Sequence, residues 1–266
     1  MIIRLLVMLL TSYQLSAQHI VPAPFQGMGG ASLAQSGVFA LAYNPVGAVD
    51  IKSATIAGAY QQHFLATDIA TQAILLGLPL KNNSVVGLAL VNYGIFDLNS
   101  FVRTSLSYSK NFGNTITASL SANHHLYAVK QYQSESTFSA DLSFMYKWTD
   151  FLQTAILFKN IGNSRLSTTV DERLERELGI GFLYKISSDI HIAADVVKDF
   201  STDILYRAGV SYFFTPLFCM RTGASSGPLQ YTAGCGFADG KWTVDFSFTY
   251  HRYLNMSPQL AMSYAF

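Results

Sequence analysis

The chain has 266 residues and a formal net charge of +1, and only 12% of its residues are charged, about half of the roughly 25% usual in soluble globular proteins. Half of the residues are hydrophobic and 14% are aromatic, so little charge is at hand to coat a water-facing surface. No basic cluster or base-stacking motif is present, which excludes nucleic acid as a partner.

The chain begins with Arg4, an apolar run from Leu5 to Leu10 and a small-residue site at Ser16-Ala17. This is the pattern of a secretory signal peptide over 1–17, and its apolar run is too short to cross a bilayer as a helix. Residues 18–50 follow as a nearly uncharged segment. Its centre, "GMGGASLAQSGVFALAYNPVGAV" (27–49), has neither the charge of a linker nor a strand or helix period.

From residue 51 to 266 the pattern is period two, interrupted by turn signals. In "KWTVDFSFTY" Trp242, Val244, Phe246, Phe248 and Tyr250 share one face, and Thr243, Asp245, Ser247 and Thr249 the other. "STFSADLSFMYKW" sets Phe138, Ala140, Leu142, Phe144 and Tyr146 against Ser139, Asp141, Ser143 and Lys147. A soluble sandwich would carry Lys and Glu on its polar face. Here that face is mostly Ser, Thr, Asn and Gly, which suits a membrane barrel with its apolar face to lipid. Strands are predicted to begin near 53, 68, 84, 101, 114, 136, 151, 176, 188, 203, 216, 228, 241 and 257. The fold class is therefore all-β, a transmembrane antiparallel β-barrel of about 14 strands. Tight turns such as "KNN" (81–83) and "ADG" (238–240) alternate with longer joins such as 160–174. That alternation and the even strand count place both termini in the periplasm. The last strand ends with Leu260, Met262, Tyr264 and Phe266 on one face. This resembles the C-terminal signal by which bacterial outer-membrane barrels are recognised for insertion, and implies the barrel assembly machinery as a partner beside the outer-membrane lipids.

These features together carry a family resemblance. Gly27, Met28, Gly29 and Gly30, then Asn44-Pro45 before the first strand, resemble the N-terminus of FadL-like outer-membrane barrels. "YGIFD" (93–97), "KNIGN" (159–163) and the final "LNMSPQLAMSYAF" narrow the likeness to the PorV/PorQ-like branch of Bacteroidetes. The resemblance implies a Gram-negative outer membrane and a 14-stranded barrel whose segment 18–50 folds into the lumen as a hatch. Small residues and Gly turns suit a plug, which must pack on an inner wall without stranding backbone groups. A floppy tail would carry more Ser, Lys and Glu.

Strands two and three are apolar on both faces. Ile74, Leu76, Leu78, Val86, Leu88 and Leu90 either pack on the hatch or line an apolar lumen route. In FadL-like transporters the third strand bends to open a lateral exit, and Gly87 and Gly94 would permit a bend here. Charges expected in the lumen are Arg103, Asp141, Lys147, Glu177, Lys185, Asp195, Arg207, Arg221 and Asp245. Both signs occur, which favours pairing or hydration over a selectivity ring. His124 and His125 point to opposite faces and cannot share a metal; no metal site, cofactor motif or catalytic set is expected, and the chain is not read as an enzyme. Cys219 and Cys235 are expected on opposite faces and free. Arg165, Asp171, Glu172 and Arg173 form the densest charge, in the 160–174 loop, either a partner-selecting rim or a solvated loop. Two functions follow from the resemblance. One is an accessory barrel of type IX protein secretion, acting on protein partners at the cell surface. The alternative is passive FadL-like transport of hydrophobic small molecules.

Overall fold

Alternation of apolar and small polar residues over segments of 7 to 14 residues is what a wall between lipid and a packed lumen requires, and the chain builds that wall. The computed structural model describes residues 20–65, 68–95, 97–131, 134–167, 172–200 and 202–266, with the side chains of 167, 172 and 173 also left out. The expected signal peptide lies outside them.

The strands are β1 (Thr55–Gln62), β2 (Ile69–Leu80), β3 (Ser84–Ile95), β4 (Asn99–Phe112), β5 (Ile116–Val129), β6 (Glu135–Lys147) and β7 (Leu152–Phe158). A small rim hairpin follows, β8 (Arg165–Ser167) with β9 (Glu172–Arg173). Then come β10 (Glu177–Lys185), β11 (Ile190–Asp199), β12 (Ile204–Thr215), β13 (Phe218–Ser225), β14 (Gln230–Asp239), β15 (Trp242–His251) and β16 (Asn255–Ala265). All but the hairpin pair antiparallel with their neighbours in one closed barrel of 14 strands. Closure runs from Thr55 opposite Ala265 to Gln61 opposite Gln259, and it removes the sheet edges that lipid would not tolerate. The predicted strand starts and the alternation of tight turns with longer joins agree with this wall. The chain enters β1 and leaves β16 at the tight-turn end.

The outer face is an apolar belt. At the tight-turn end it finishes in aromatic rings, with Trp242 against Tyr264 at 4.6 Å and Tyr264 against Phe266 at 5.0 Å. Leu260, Met262 and Phe266 face outward in the same band.

Strands β2 and β3 correct the sequence reading. Ile74 (58% exposed), Leu78, Leu88 and Leu90 face outward, with Leu76 and Val86 on the same side, so none of the six lines the lumen. The inner side carries Ala73, Leu75, Gly77, Val85, Gly87, Ala89 and Val91 instead. Period two fixes which residues share a face. It cannot orient a strand that is apolar on both. Nor does β3 open the wall. It pairs with β2 from Leu80–Ser84 to Ile69–Ile95 and with β4 from Ser84–Lys110 to Ile95–Asn99, in unbroken register. Among the described residues the barrel's register shifts between Phe213 and Thr215, where β12 meets β13.

Both cysteines are free. Cys219 is buried on the inner face opposite Gly236, while Cys235 pairs with outward Met220.

Candidate functional site: a plugged lumen and its chambers

Residues 20–51 touch strands all around the closed wall, which only the lumen permits. The segment holds one helical turn (Ala23–Gln26) and two 3-10 turns (Val38–Ala42 and Pro45–Asp50). Its backbone groups, which turns this short cannot satisfy internally, are taken up by inner-face side chains. Asp195 Oδ2 accepts the Ser32 and Leu33 N–H groups at 2.7 and 3.0 Å. Gln153 Nε2 donates to Ala34 O at 2.6 Å, Arg103 Nη2 to Ala42 O at 2.5 Å, Ser109 Oγ to Pro45 O at 2.7 Å and Gln259 Nε2 to Val21 O at 3.0 Å. Inside the segment Asn44, fully buried, donates to Leu33 O at 2.6 Å. Pro45 opens the second 3-10 turn, where its fixed φ suits the first position.

Gly27 to Gly30 make the closest approach. Gly29 and Gly30 have φ of +73° and +78°, open to glycine at little cost. A Cβ at Gly29 would stand 2.4 Å from Ala208 O. On the wall, a Cβ at Gly209 or Gly223 would stand 2.4 Å from the Met28 backbone. The turn thus lies backbone to backbone on β12 and β13, pinned by the Gly29 N–H bond to Thr232 Oγ1 at 2.8 Å. Farther along, Leu41 packs over Gly87 and Leu33 over Gly179 and Gly181.

The segment meets β14–β16 through its helical turn and β2–β6 through its two 3-10 turns. Among the described residues it leaves a recess toward each end of the lumen. The one at the tight-turn end, a cavity of about 80 Å3, lies among Phe213, Phe218, Cys219, Arg221 and Asp245. There Arg221 Nη1 donates to Asp245 Oδ1 at 2.6 Å.

The recess at the long-loop end is lined by Arg103, Asn123, His125, Asp141, Lys159 and Glu175, with Phe101 and Leu174 above them. Lys159 Nζ stands 2.9 Å from Glu177 Oε2, both side chains buried, and 3.8 Å from the centroid of the Tyr43 ring. Arg207 approaches that ring at 5.4 Å. The Tyr43 hydroxyl donates to Glu177 Oε2 at 3.1 Å. Burial, with the Glu177 charge beside it, pushes the Tyr43 phenol well above its ordinary value, so it stays a donor. Burial pulls the Lys159 ammonium down, and Glu177 resists that pull. Tyr43 is the point where hatch, wall and recess meet.

The hairpin roofs this recess. Asn160 holds its base at a φ of +50°, a value asparagine tolerates. Its N–H donates to Asp141 Oδ1 at 2.9 Å, and its side-chain amide donates to Ser164 O and Leu174 O. Leu166 and Leu174 are buried on Phe101, with Tyr93 and Tyr127 against them. The 160–174 segment is thus folded inward at both ends, where the sequence suggests a charged rim. Arg165 is exposed. Asp171 and the side chains of Glu172 and Arg173 lie outside the described residues.

Burial pushes the Glu175 carboxyl above its ordinary 4.5, against the opposing pull of Lys159, Arg103 and Arg207. A folded value raised above the unfolded one favours the closed roof fully below about pH 4.5, and that contribution is lost as pH rises through the raised value. Amide exchange at Leu166 and Leu174, corrected for the intrinsic rate, is expected to be slowest at acid pH and to quicken through that window. Glu175→Gln should flatten the profile, and an unchanged profile would detach the roof from this carboxyl.

Sequence reasoning places Arg103, Asp141, Glu177, Asp195 and Arg207 on the inner face, and they are brought together here. It misses Tyr43, Lys159 and Glu175. The "KNIGN" motif marks Lys159 and Asn160 without revealing that they turn inward.

No protein-family model matches this sequence, and no curated protein does. Solved structures do resemble it. The toluene transporter TbuX of Ralstonia pickettii superposes with a TM-score of 0.71 at 12% identity, over 94% of this chain and 99% of that one. The monoaromatic hydrocarbon channel CymD gives 0.71 at 11%, over 92% and 97%. A FadL homologue of Pseudomonas aeruginosa gives 0.66 at 9%, over 92% and 98%. At such identities the likeness is one of fold: this chain is a closed 14-stranded antiparallel β-barrel similar in architecture to those transporter barrels.

Proposed function

We propose that this barrel sits in a Gram-negative outer membrane, with both chain ends in the periplasm, and admits small hydrophobic molecules passively. The observation that carries this reading is the shared fold over nearly the whole of both chains with TbuX, described as a toluene transporter. The plugged lumen supports it, because a general diffusion pore needs an open aqueous channel. Outer-membrane lipids and the barrel assembly machinery are its partners under this reading. The wall is continuous at β3, so the path runs inside the lumen and past the hatch. The type IX secretion role and the PorV/PorQ-like branch rest on short motifs alone, and neither the comparisons nor the inward-folded hairpin supports them.

The test is uptake in a Gram-negative host that lacks hydrocarbon transporters of its own. Cells making the full chain are expected to take up labelled toluene, at low external concentration, severalfold faster than vector controls. Equal initial rates, with the barrel shown to be assembled by its heat-modifiable gel migration, would overturn the proposal.

A further inference from the structure

The recess at the long-loop end has two layers of opposite chemistry. Its roof is apolar and partly aromatic, with Leu166 and Leu174 on Phe101 and the rings of Tyr93 and Tyr127 beside them. Its floor is polar and charged. Arg103 and Lys159 are 4% exposed, and His125 is 6% exposed. Between the layers lies a cavity of about 20 Å3, room for one water-sized group.

That void faces hydrogen-bonding capacity the described residues leave unused. His125 uses Nε2 on Ser139 Oγ at 2.9 Å, while its buried Nδ1 has no partner among the described residues. The Lys159 ammonium has three donors, met by one carboxylate oxygen and one ring face. We propose that this recess takes the hydroxyl group of a small neutral aromatic molecule, a phenol, and that such molecules are preferred by this barrel over bare hydrocarbons. The inference rests on the transport reading above and narrows its substrate class.

A hydrocarbon brings nothing to the void and leaves buried donors unmet, so that their desolvation is not offset by any bond. A carboxylate would bring a further negative charge to Asp141, Glu175 and Glu177, and an ammonium a further positive one to Arg103, Lys159 and Arg207. Fixed charges of both signs in near balance favour an uncharged group that donates and accepts at once, as a hydroxyl does. The ring then replaces the leucine pair against Phe101, where aromatic contacts are available. The void alone is too small for a ring, so the side chains of Leu166 and Leu174 must yield as the ligand enters.

Three solutes of one shape separate the cases: toluene, p-cresol and p-toluate. Initial uptake by cells making the full chain, and binding to the purified barrel in detergent, are measured for each. p-Cresol is expected to exceed both others about tenfold, the equivalent of one hydrogen bond to a charged group. His125→Leu, which leaves the Lys159–Glu177 pair in place, should cut that preference. Lys159→Met should cut it further where the barrel assembles. Toluene uptake above the vector control with no preference for p-cresol would overturn this inference and leave the transport reading standing. A preference for p-toluate would overturn it in favour of an anion site. Binding of p-cresol without uptake of any solute would uphold the recess and overturn transport.

Discussion

Replacing Gly209 by alanine is expected to unseat the hatch and convert a closed barrel into a conducting one. The wall itself has no objection to the change, since alanine sits readily on a paired strand between Ala193 and Gly223. The obstacle is Met28, whose Cα, carbonyl carbon and oxygen all lie 2.4 Å from the new Cβ. These are backbone atoms, and no rotamer change moves them aside. The turn must translate inward, which breaks the Gly29 bond to Thr232 and pulls on the Ser32 and Leu33 bonds to Asp195. Overpacking of this kind costs about 1–3 kcal/mol per site. Gly223→Ala meets the same turn at Gly29 N and Met28 C, so the double variant should act more strongly than either alone. The readout is ion conductance in planar bilayers, with a Met28→Cys probe reporting whether the turn has become reachable by a water-soluble maleimide. A Gly209→Ala barrel that stays closed, with its probe unlabelled, would show that the hatch is held elsewhere.

The wall was legible because a single physical constraint acts on every strand. Lipid on one side and packed lumen on the other force alternation, so strands predicted at 84, 136 and 241 begin at Ser84, Glu135 and Trp242. The same constraint fails for β2 and β3. Their inner residues meet the apolar side of the hatch, where Leu41 and Ile51 reach Gly77 and Leu41 reaches Gly87, so both faces are apolar and composition cannot say which one meets lipid. The recess was illegible for another reason. Tyr43 comes from the hatch, Lys159 from the residue that follows β7, Glu177 from the start of β10 and Glu175 from the join before it. No spacing links 43 to 159, and only closure of the barrel brings them within 4 Å. The 160–174 segment misleads because its charge dominates its composition. The two leucines that fold it inward, Leu166 and Leu174, are isolated in the sequence and carry no period.

Lys159→Met is expected to be among the most destabilising single changes in this chain, and adding Glu177→Leu should restore much of the loss. Lys159 and Glu177 are an ion pair with side chains 4% and 9% exposed. Removing one partner of a buried pair costs about 3–5 kcal/mol where the remaining charge loses its counter-charge, and here Arg207 and Arg103 still act on Glu177. The lower end applies here, since Glu177 would keep the Tyr43 hydroxyl at 3.1 Å. Removing both charges takes the buried carboxylate away as well and costs the Tyr43 hydroxyl its bond to Glu177, a penalty of about 1–3 kcal/mol. The double variant should therefore unfold closer to the parent than Lys159→Met does, with a coupling of about 1–3 kcal/mol, read from urea midpoints in detergent or from the temperature of the heat-induced gel shift. Losses in the double variant equal to the sum of the two singles would mean the pair acts as two independent side chains. Coupling would identify it as the clamp that holds Tyr43, and through Tyr43 the hatch, against the floor of the recess. A ligand that competes for Lys159 would then loosen the hatch as it binds, linking occupancy of the recess to opening of the lumen.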